Sequence, residues 1–303
     1  MRIRRTLAAT SAPLLLVPTA LALAACAPTE ESETAEESTT SADPTTEESE
    51  TAADPAACAE GAVRTPGTLT IGTDSPAYEP WFVDDDPTNG QGFESAVAHE
   101  VADRLGFADA VEWIVVPFNS SYKPGAKEFD FDINQISITP ERAEVVDFSD
   151  GYYAAAQAVI ALKDNPAAEA TSLADLQGLR LGAQTGTTSL TAIRDVIAPE
   201  TDPLVFEDTN AAKQAMMNDQ VDAILADLPT AFYITAVEIP KASIIGQFQP
   251  ETGDQEEFGM LFEKGSPLVE CVNLALAEMT EDGTLADLEQ EWLSDTVGVP
   301  ELQ

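Results

Sequence analysis

The sequence alternates short apolar runs with longer amphipathic segments from residue 69 to residue 293, and this alternation constrains the fold most. Short apolar runs bounded by Gly, Pro or Asn predict strands, whereas apolar residues spaced three or four apart predict helices. Alternating strands and helices indicate open α/β sheets with helices on both faces, and the length suggests about two domain-sized units. The predicted strands cover 69–73, 111–116, 129–138, 157–162, 179–183, 205–206, 221–226 and 258–262. The predicted helices cover 93–105, 172–176, 188–197, 209–218, 267–279 and 284–293.

The predicted strand at 129–138 has a break in its side-chain alternation. Its apolar residues occupy odd positions up to Ile133 and even positions from Ile136 onward. A one-residue slip turns side chains to the opposite face, so we expect a bulge or bend at Asn134 and Gln135. Directly afterwards, 139–142 (Thr-Pro-Glu-Arg) is typical of a helix N-terminus. Because bulges are frequent beside functional sites, this turn is a candidate site.

The first 25 residues have the pattern of an export signal. A basic start over residues 1–5 precedes an apolar stretch, and no second hydrophobic span follows, which favours a signal peptide over a transmembrane helix. The stretch ends in Leu-Ala-Ala-Cys at 23–26, which resembles the lipobox of bacterial lipoproteins. That resemblance implies that Cys26 is lipid-modified and anchors the chain. An ordinary signal peptide with an incidental cysteine is the alternative.

Residues 26–60 are predicted to form a disordered acidic tether. Residues 27–57 contain Ala, Thr, Ser, Glu, Asp and Pro, with no aromatic and no basic residue. Such a composition buries too little apolar surface to offset the entropy of ordering the chain. The whole sequence has 54 acidic and 14 basic residues, a formal net charge of −40. This balance argues against binding to nucleic acid or to an anionic lipid surface, because both need clustered basic side chains.

Three cysteines and one histidine limit the chemistry that the chain can perform. With Cys26 lipidated, Cys58 and Cys271 remain as an even pair in an oxidising compartment, which favours a disulfide over two free thiols. Catalysis of the Ser-His-Asp or Cys-His type would have to use His99, whose neighbours Ala and Glu predict a solvated helix face. A structural zinc site would need about four ligands from this small pool. We therefore expect neither a metal nor a cofactor.

Two neighbouring motifs make the sequence recognisable, ISITPER at 136–142 and DFSDGYY at 147–153. Other motifs follow in a fixed order: LTIGTD at 69–74, YEPW at 78–81, GFE at 92–94, GTT at 186–188, VDAILAD at 221–227 and DGT at 282–284. In this order and spacing, over about residues 67–295, the sequence resembles the extracytoplasmic solute-binding proteins of polar amino-acid ABC transporters.

The resemblance implies a two-lobe clamshell of the periplasmic-binding-protein type (type II), with two α/β lobes joined by two crossover strands. It places residues 66–153 and 250–303 in lobe one and residues 154–249 in lobe two, with the ligand in the cleft between them. Such clamshells close on their ligand by hinge motion.

The same resemblance implies a binding function without catalysis. The chain is then a lipid-anchored, extracytoplasmic monomer at the cell membrane that captures a free, polar or charged amino acid. Its second partner is the permease of an ABC importer, to which it delivers the amino acid.

Three polar positions of the family match residues that suit an amino acid's carboxylate. Arg142 lies in the first turn of a helix, and its planar guanidinium can bind a carboxylate through two hydrogen bonds. A surface arginine that pairs with Glu141 or Glu144 is the alternative. Thr187 and Thr188 lie at a strand-to-helix turn where free backbone N–H groups attract anions. They could equally be a plain helix cap.

Other family positions match residues for the ammonium group and for the cover of the site. Asp227 ends a buried strand at the crevice of an open sheet and matches the position that receives the ammonium group, although it could instead cap the next helix. Ser137 matches a position for a hydroxyl contact. Tyr78, Trp81 and Phe118 match aromatic residues that cover the ligand, with ordinary core packing as a strong alternative for Trp81.

The sequence says less about which side chain the ligand has and about whether the protein is an enzyme. Asp74 could meet a cationic side chain or could only order its turn. Asn134 and Gln135 replace the family's usual small residues, which suggests additional amide hydrogen bonds. The alternative function is a dehydratase-like enzyme on the same fold, which needs a general acid. Glu79 and Asp74 are the candidates, and neither has the apolar neighbours in sequence that would raise its pKa.

Overall fold

Two five-stranded sheets with flanking helices form the framework of the protein. The structure is a computed structural model that describes residues 54–249, 256–293 and 298–303. The predicted signal peptide, Cys26 and the tether as far as residue 53 lie outside the described residues. The strands are β1 (Leu69–Thr73), β2 (Val111–Val115), β3 (Phe131–Asp132), β4 (Asp147–Phe148), β5 (Tyr153–Ala155), β6 (Gln157–Leu162), β7 (Leu181–Gln184), β8 (Leu204–Phe206), β9 (Ala223–Asp227), β10 (Ala242–Phe248), β11 (Glu256–Phe258) and β12 (Leu261–Phe262).

The helices cover the faces of these sheets. They are α1 (Pro55–Ala59), α2 (Phe93–Arg104), α3 (Phe118–Ser121), α4 (Pro140–Ala143), α5 (Thr188–Ala192), α6 (Thr209–Met217), α7 (Leu228–Tyr233), α8 (Leu268–Glu281) and α9 (Thr284–Leu293). Helices α5 and α7 continue as π-helical turns at Ile193–Ile197 and Ile234–Glu238, and short 3-10 turns lie at Val83–Asp85, Pro87–Asn89, Pro166–Glu169 and Ala174–Leu176. None of the helices in the described ranges is long and apolar enough to span a bilayer.

The first lobe is built on a sheet with strand order β2-β1-β3-β12-β4. Strands β1, β2 and β3 are parallel, whereas β12 is antiparallel to its neighbours. Leu69 and Ile71 of β1 and Phe131 of β3 are fully buried in one cluster with Val97 and Val101 of α2. The predicted spacing of apolar residues on α2 thus forms the helix face that packs on this sheet.

The second lobe is built on a sheet with strand order β10-β6-β9-β7-β8. Strands β7, β8 and β9 are parallel, and β6 runs antiparallel to both β9 and β10. All six residues of β6 are buried, in agreement with its continuous apolar run, because helices or loops cover both faces. Both sheets open towards the same crevice, where β7 and β9 end.

A two-stranded antiparallel ribbon, β5 paired with β11, connects the lobes. Strand β5 leads directly into β6 of the second sheet, and β11 is followed by β12 of the first sheet. Tyr153 and Phe258 face each other in this ribbon and are packed into the core of the first lobe. Two lobes joined by a pair of strands are what the sequence predicted.

The beginning of the folded body differs from the prediction of a tether up to residue 60. Helix α1 is ordered, with the Asp54 side chain accepting a hydrogen bond from the backbone N–H of Ala56. Ala59 is fully buried in the first lobe, and Cys58 forms the predicted disulfide with Cys271 of α8. The folded body therefore begins before residue 60. The disulfide and the buried residues Pro55 and Ala59 hold this segment on the body, and the local composition does not reveal this.

The C-terminal end also differs from the prediction, which assigned residues 250–303 to the first lobe. Glu301 pairs with Gln247 of β10, and Leu302 is buried in the cluster beneath the second sheet. The backbone N–H of Leu173 donates to the carbonyl of Gln303. Residues 298–303 therefore belong with the second lobe, because an apolar side chain and the free edge of β10 hold them there.

Two strand predictions need correction, and strands β4, β5 and β10 have no predicted counterpart. The predicted strand 129–138 is regular only at β3 and bends at Gln135, whose φ is +48°, so the predicted slip is a tight turn. The predicted strand 258–262 is split between β11 in the ribbon and β12 in the first sheet. Strand β10 was not predicted, because Gly246 and a register shift beside it interrupt its alternation.

Candidate functional site

A cavity lies between the two lobes at the ends of the strands. The first lobe contributes loops after β1 and β3, and the second lobe contributes the turns after β7 and β9. Eight of the ten predicted ligand-binding residues line it: Asp74, Tyr78, Phe118, Gln135, Ser137, Thr187, Thr188 and Asp227. The cavity is completed by Asn134, Gln184, Ser189, Thr209, Leu225, Ala226 and Thr230. Arg142 lines an adjoining cavity, which shares Ser137, Thr187 and Thr188 with the first.

Arg142 is positioned by the N-terminus of α4. Thr139 caps this helix by accepting a hydrogen bond from the Arg142 backbone N–H, and Pro140 occupies the first turn, both as predicted. The guanidinium donates to the carbonyl of Ser137 at 2.7 Å in its own lobe. It also donates to the carbonyl of Gly186 at 3.0 Å in the other lobe. Arg142 therefore links the lobes across the crevice.

The charge of Arg142 is buried and has aromatic neighbours. Its side chain lies over the rings of Phe118 and Tyr122, at 5.6 Å and 4.9 Å from the ring centroids. Burial lowers the pKa of the guanidinium, although an arginine remains charged in proteins. Among the described residues, no carboxylate forms an ion pair with Arg142, so the alternative of a surface arginine paired with Glu141 or Glu144 is wrong.

Thr187 and Thr188 have different roles at the start of α5. The Thr187 hydroxyl accepts from the backbone N–H of Leu190 and donates to the carbonyl of Gln184, so it is the helix cap. The Thr188 hydroxyl lies 3.3 Å from the Ser137 hydroxyl across the crevice. Thr188 and Ser137 therefore face each other from opposite lobes and are both placed to contact a molecule in the cavity.

Asp227 ends β9 and points its carboxylate into the crevice, as predicted. Asp227 occupies the N-cap position of α7, as the alternative predicted, but its side chain makes no capping hydrogen bond there. Burial, and then the charge of Glu256, raise the pKa of Asp227 to about 8. Its carboxylate accepts a hydrogen bond from the side-chain amide of Gln157 at 2.9 Å.

Gln157 and Glu256 belong to this site but were not singled out from the sequence. Gln157 is fully buried at the start of β6, and its amide donates to both Asp227 and Glu256. Glu256 lies on β11 of the ribbon and also accepts from the Ser137 hydroxyl. A polar residue at the head of an otherwise apolar strand could have drawn attention to Gln157. Nothing local distinguishes Glu256 from the acidic residues beside it.

The predicted aromatic residues are not equivalent. Tyr78 lines the cavity, with Lys213 of the second lobe 5.5 Å from its ring centroid. Phe118 lines the cavity and packs beside Arg142. Trp81 does not line it, because its side chain is fully buried among the rings of the first lobe. The core-packing interpretation holds for Trp81, whose indole N–H donates to the hydroxyl of Thr230 in the second lobe at 2.8 Å.

Asp74 is held at the wall of the cavity by the backbone. Its carboxylate accepts from the backbone N–H of Ser75 at 2.7 Å and from that of Phe118 at 3.1 Å. Burial raises the pKa of Asp74, whereas these two hydrogen bonds lower it. The expectation that its pKa would not be raised is therefore wrong, because the tertiary fold buries a residue whose sequence neighbours are polar.

The side-chain amides of Asn134 and Gln135, at the turn after β3, have different surroundings. Gln135 donates from its backbone N–H and from its side chain to the buried carboxylate of Glu94, which also accepts from the Tyr152 hydroxyl. Burial raises the pKa of Glu94 to about 7. The side-chain nitrogen of Asn134, by contrast, is buried at the cavity wall and has no hydrogen-bond partner in the structure. Asn134 is thus the amide that can donate into the cavity.

The described residues contain no group of three His, Cys, Asp or Glu side chains placed to hold a metal ion. His99 is half-buried on α2, 3.3 Å from the carbonyl of Pro87 and away from the cavity. The cavity instead combines a buried guanidinium, hydroxyls, amides and carboxylates from both lobes. Such a set can bind a small zwitterion through charge-assisted hydrogen bonds.

Comparison with known proteins gives consistent matches over the folded body. Residues 69–295 match the family of bacterial extracellular solute-binding proteins, family 3. The chain is 31% identical over 242 residues to the L-cystine-binding protein TcyA of Bacillus subtilis (strain 168), which covers 78% of this chain and 85% of that protein.

Two solved structures have the same architecture. An ancestral arginine-binding protein bound to glutamine is similar with a TM-score of 0.64 and 32% identity, over 76% of this chain and 99% of that chain. The ancestral amino acid-binding protein AncCDT-1, described as a precursor of cyclohexadienyl dehydratase, has a TM-score of 0.63 and 31% identity, over 75% of this chain and 95% of that chain. The two sheets and their connecting ribbon confirm the predicted type II clamshell. The chain therefore belongs to the bacterial extracellular solute-binding proteins of family 3.

Proposed function

We propose that this protein binds a free amino acid in the cavity between its lobes. The observation that carries the proposal is the buried guanidinium of Arg142, which has no ion-pair partner among the described residues and shares the crevice with half-buried Asp227. Two carbonyls and two aromatic rings hold this guanidinium without pairing it to a carboxylate, so a ligand carboxylate can take that place. An amino acid supplies a carboxylate for Arg142 and an ammonium group for Asp227.

The remaining polar residues of the crevice support the same orientation. Ser137 and Thr188 place hydroxyls beside the carboxylate end, and Thr187 begins the helix whose backbone N–H groups face that end. Asp74, Tyr78, Phe118 and Gln135, together with Asn134, surround the side-chain end. Trp81 supports this wall from behind through Thr230.

The ligand is proposed to have a polar or charged side chain. The side-chain end contains the carboxylate of Asp74 and the unpaired amide nitrogen of Asn134, which favour a group with both donors and acceptors. Relatives include proteins named for binding L-cystine and arginine. These names agree with a polar ligand and leave its identity to direct measurement.

We further propose that the protein works outside the cytoplasm and delivers its ligand to an ABC importer. The family description is extracellular, and the sequence at 23–26 resembles a lipobox. Lipid on Cys26 would hold the body near the membrane through the acidic tether, while the body itself acts as a monomer. The importer's permease is the expected protein partner.

Binding without catalysis is favoured over a dehydratase-like reaction. Two observations favour an enzyme. Burial raises the pKa of Asp74, and one structural relative is described as a dehydratase precursor. However, both oxygens of Asp74 accept backbone hydrogen bonds, which fixes it as an acceptor. An acceptor of this kind suits binding better than proton donation.

A thermal-shift panel of the twenty amino acids tests the proposed function. At about a hundredfold excess over its dissociation constant, a bound amino acid should stabilise the protein by roughly 2.7 kcal/mol. We expect one or a few polar amino acids to raise the melting temperature, with no new products in NMR spectra of the mixture. A panel in which no amino acid shifts the transition would contradict the proposal, and new products would favour the enzyme.

A further inference from the structure

The carboxylates of Asp227 and Glu256 lie at the same end of the crevice, and the side-chain amide of Gln157 donates a hydrogen bond to each. Gln157 Nε2 lies 2.9 Å from Asp227 Oδ1 and 3.0 Å from Glu256 Oε2. The carbonyl oxygen of the same side chain accepts from the Ser189 hydroxyl, so the amino end of the amide faces the carboxylates. A single fully buried amide therefore donates to two acids that come from different parts of the chain.

The two acids border the binding cavity from different elements. Asp227 lines the first cavity, and Glu256 lines the adjoining cavity beside Arg142. The second oxygen of Glu256 accepts from Ser137, which lines both cavities. Independently, the buried amide nitrogen of Asn134 has no partner at the cavity wall, which indicates that the cavity is built for a polar occupant.

Two half-buried carboxylates that accept from one fully buried amide nitrogen repel each other when both are ionised. Burial and the charge of Glu256 raise the pKa of Asp227 to about 8, so Asp227 retains its proton at neutral pH. A cation that enters between the two acids would stabilise the ionised form of Asp227, so that this proton would be released. The charged or titratable groups that face Asp227 are Glu256, Glu94, Arg142, Tyr152 and Tyr153.

We propose that Glu256 is a second carboxylate for the ammonium group of the bound amino acid, and that Asp227 releases its proton to solvent when this group enters. The inference rests on the proposed function and extends it. The ammonium group carries one positive charge and three N–H donors, so it replaces the proton without changing the charge of the pair. No covalent bond of the amino acid is altered.

Isothermal titration calorimetry in two buffers of different ionisation enthalpy tests the inference. L-arginine, L-glutamine and L-cystine serve as probes at pH 7 with the wild type, Glu256→Gln and Glu257→Gln. Glu257 is a matched control on the same strand, with an exposed side chain that lies beside Gly151. We expect the wild type to release close to one proton on binding and Glu257→Gln to behave in the same way.

Glu256→Gln should bind the amino acid about tenfold more weakly, since a charge-assisted contact is lost. It should release a smaller fraction of a proton than the wild type, because one of the charges that raise the pKa of Asp227 is gone, although burial still raises it. 5-Guanidinopentanoate and 4-carbamoylbutanoate, which lack the α-ammonium group of arginine and glutamine, should not bind more weakly to this variant than to the wild type.

The outcomes separate the inference from the proposed function. If the wild type binds none of the three probes and no amino acid of the thermal-shift panel, both fail. If it binds one of them and Glu256→Gln binds it with equal or greater affinity, only the inference fails. Greater affinity would show that Glu256 instead competes with the ligand's carboxylate for Ser137 and Arg142. Unchanged proton release in Glu256→Gln would likewise overturn the proposed effect of Glu256 on Asp227.

Discussion

The guanidinium of Arg142 donates to the carbonyl of Gly186 at 3.0 Å across the crevice, from one lobe to the other. Its other terminal nitrogen donates to the carbonyl of Ser137, whose hydroxyl faces that of Thr188 across the crevice. The residue proposed to bind the ligand's carboxylate is therefore also a contact between the lobes. Ligand binding and the relative position of the lobes are thus expected to depend on the same side chain.

The disulfide between Cys58 and Cys271 should contribute strongly to stability. It closes a loop of 213 residues and fixes α1 to α8. Loop-closure entropy of this size predicts that Cys58→Ser/Cys271→Ser lowers the free energy of unfolding by about 2–5 kcal/mol. Urea titrations with and without reductant measure the effect. The double variant should be insensitive to reductant, and an unchanged midpoint would contradict the prediction.

Glu94 should make the protein less stable as the pH rises towards neutrality. Its carboxyl has a pKa of about 7 in the folded state against 4.5 as its ordinary value, because it is buried. Between these values the folded state binds more protons than the unfolded state, so the free energy of unfolding falls as pH increases. The full effect is roughly 3 kcal/mol, and the raised pKa of buried Asp132 acts in the same direction.

Urea titrations from pH 4.5 to 7.5 check the role of Glu94. Glu94→Gln should flatten the decline, whereas Glu112→Gln, an exposed control on β2, should leave it as in the wild type. An equally steep decline in Glu94→Gln would show that another group causes it.

The hydrogen bond between Trp81 and Thr230 should stabilise the contact between lobes. Thr230→Val keeps the volume of the side chain but leaves the buried indole N–H without its acceptor. A loss of about 1–3 kcal/mol in the free energy of unfolding is expected. Thr235→Val is the control, since its hydroxyl bonds only within its own helix region. Equal stability of the two variants would argue against the prediction.

Cys26 should carry the membrane anchor. Cys26→Ser is expected to move the protein from the membrane fraction to the soluble extracytoplasmic fraction, because a single polar residue cannot replace the buried acyl chains. Fractionation and mass spectrometry of the mature N-terminus measure this. Retention of the variant in the membrane fraction, or a mature wild-type chain without lipid on Cys26, would contradict the lipobox interpretation.

Local patterns predicted much of the fold because they follow from side-chain burial. Strands β1 and β6 have the predicted bounds, and the phase slip at Asn134 predicted the turn at Gln135. The N-terminus of α4 followed from Thr139 and Pro140, whose caps depend only on neighbouring residues. These features are decided within a few residues and so can be read from sequence.

Features that depend on distant contacts could not be predicted in the same way. Glu256 reaches the crevice because β11 pairs with β5, and Trp81 is excluded from the cavity by rings from three other elements. The raised pKa of Asp74 comes from tertiary burial, although its sequence neighbours are polar. Motif order indicated which residues meet at the crevice, but only the packing shows which of them face it.

The most direct measurement is a calorimetric titration of the wild type, Arg142→Ala and Arg194→Ala with the amino acid that stabilises the wild type most. Arg194 is an exposed arginine on the π-helical turn after α5 and serves as the control. Arg142→Ala should lose about 2–5 kcal/mol of binding free energy while Arg194→Ala loses none, because the ligand's buried carboxylate has lost its cation. Binding by a folded Arg142→Ala variant with wild-type affinity would contradict the account.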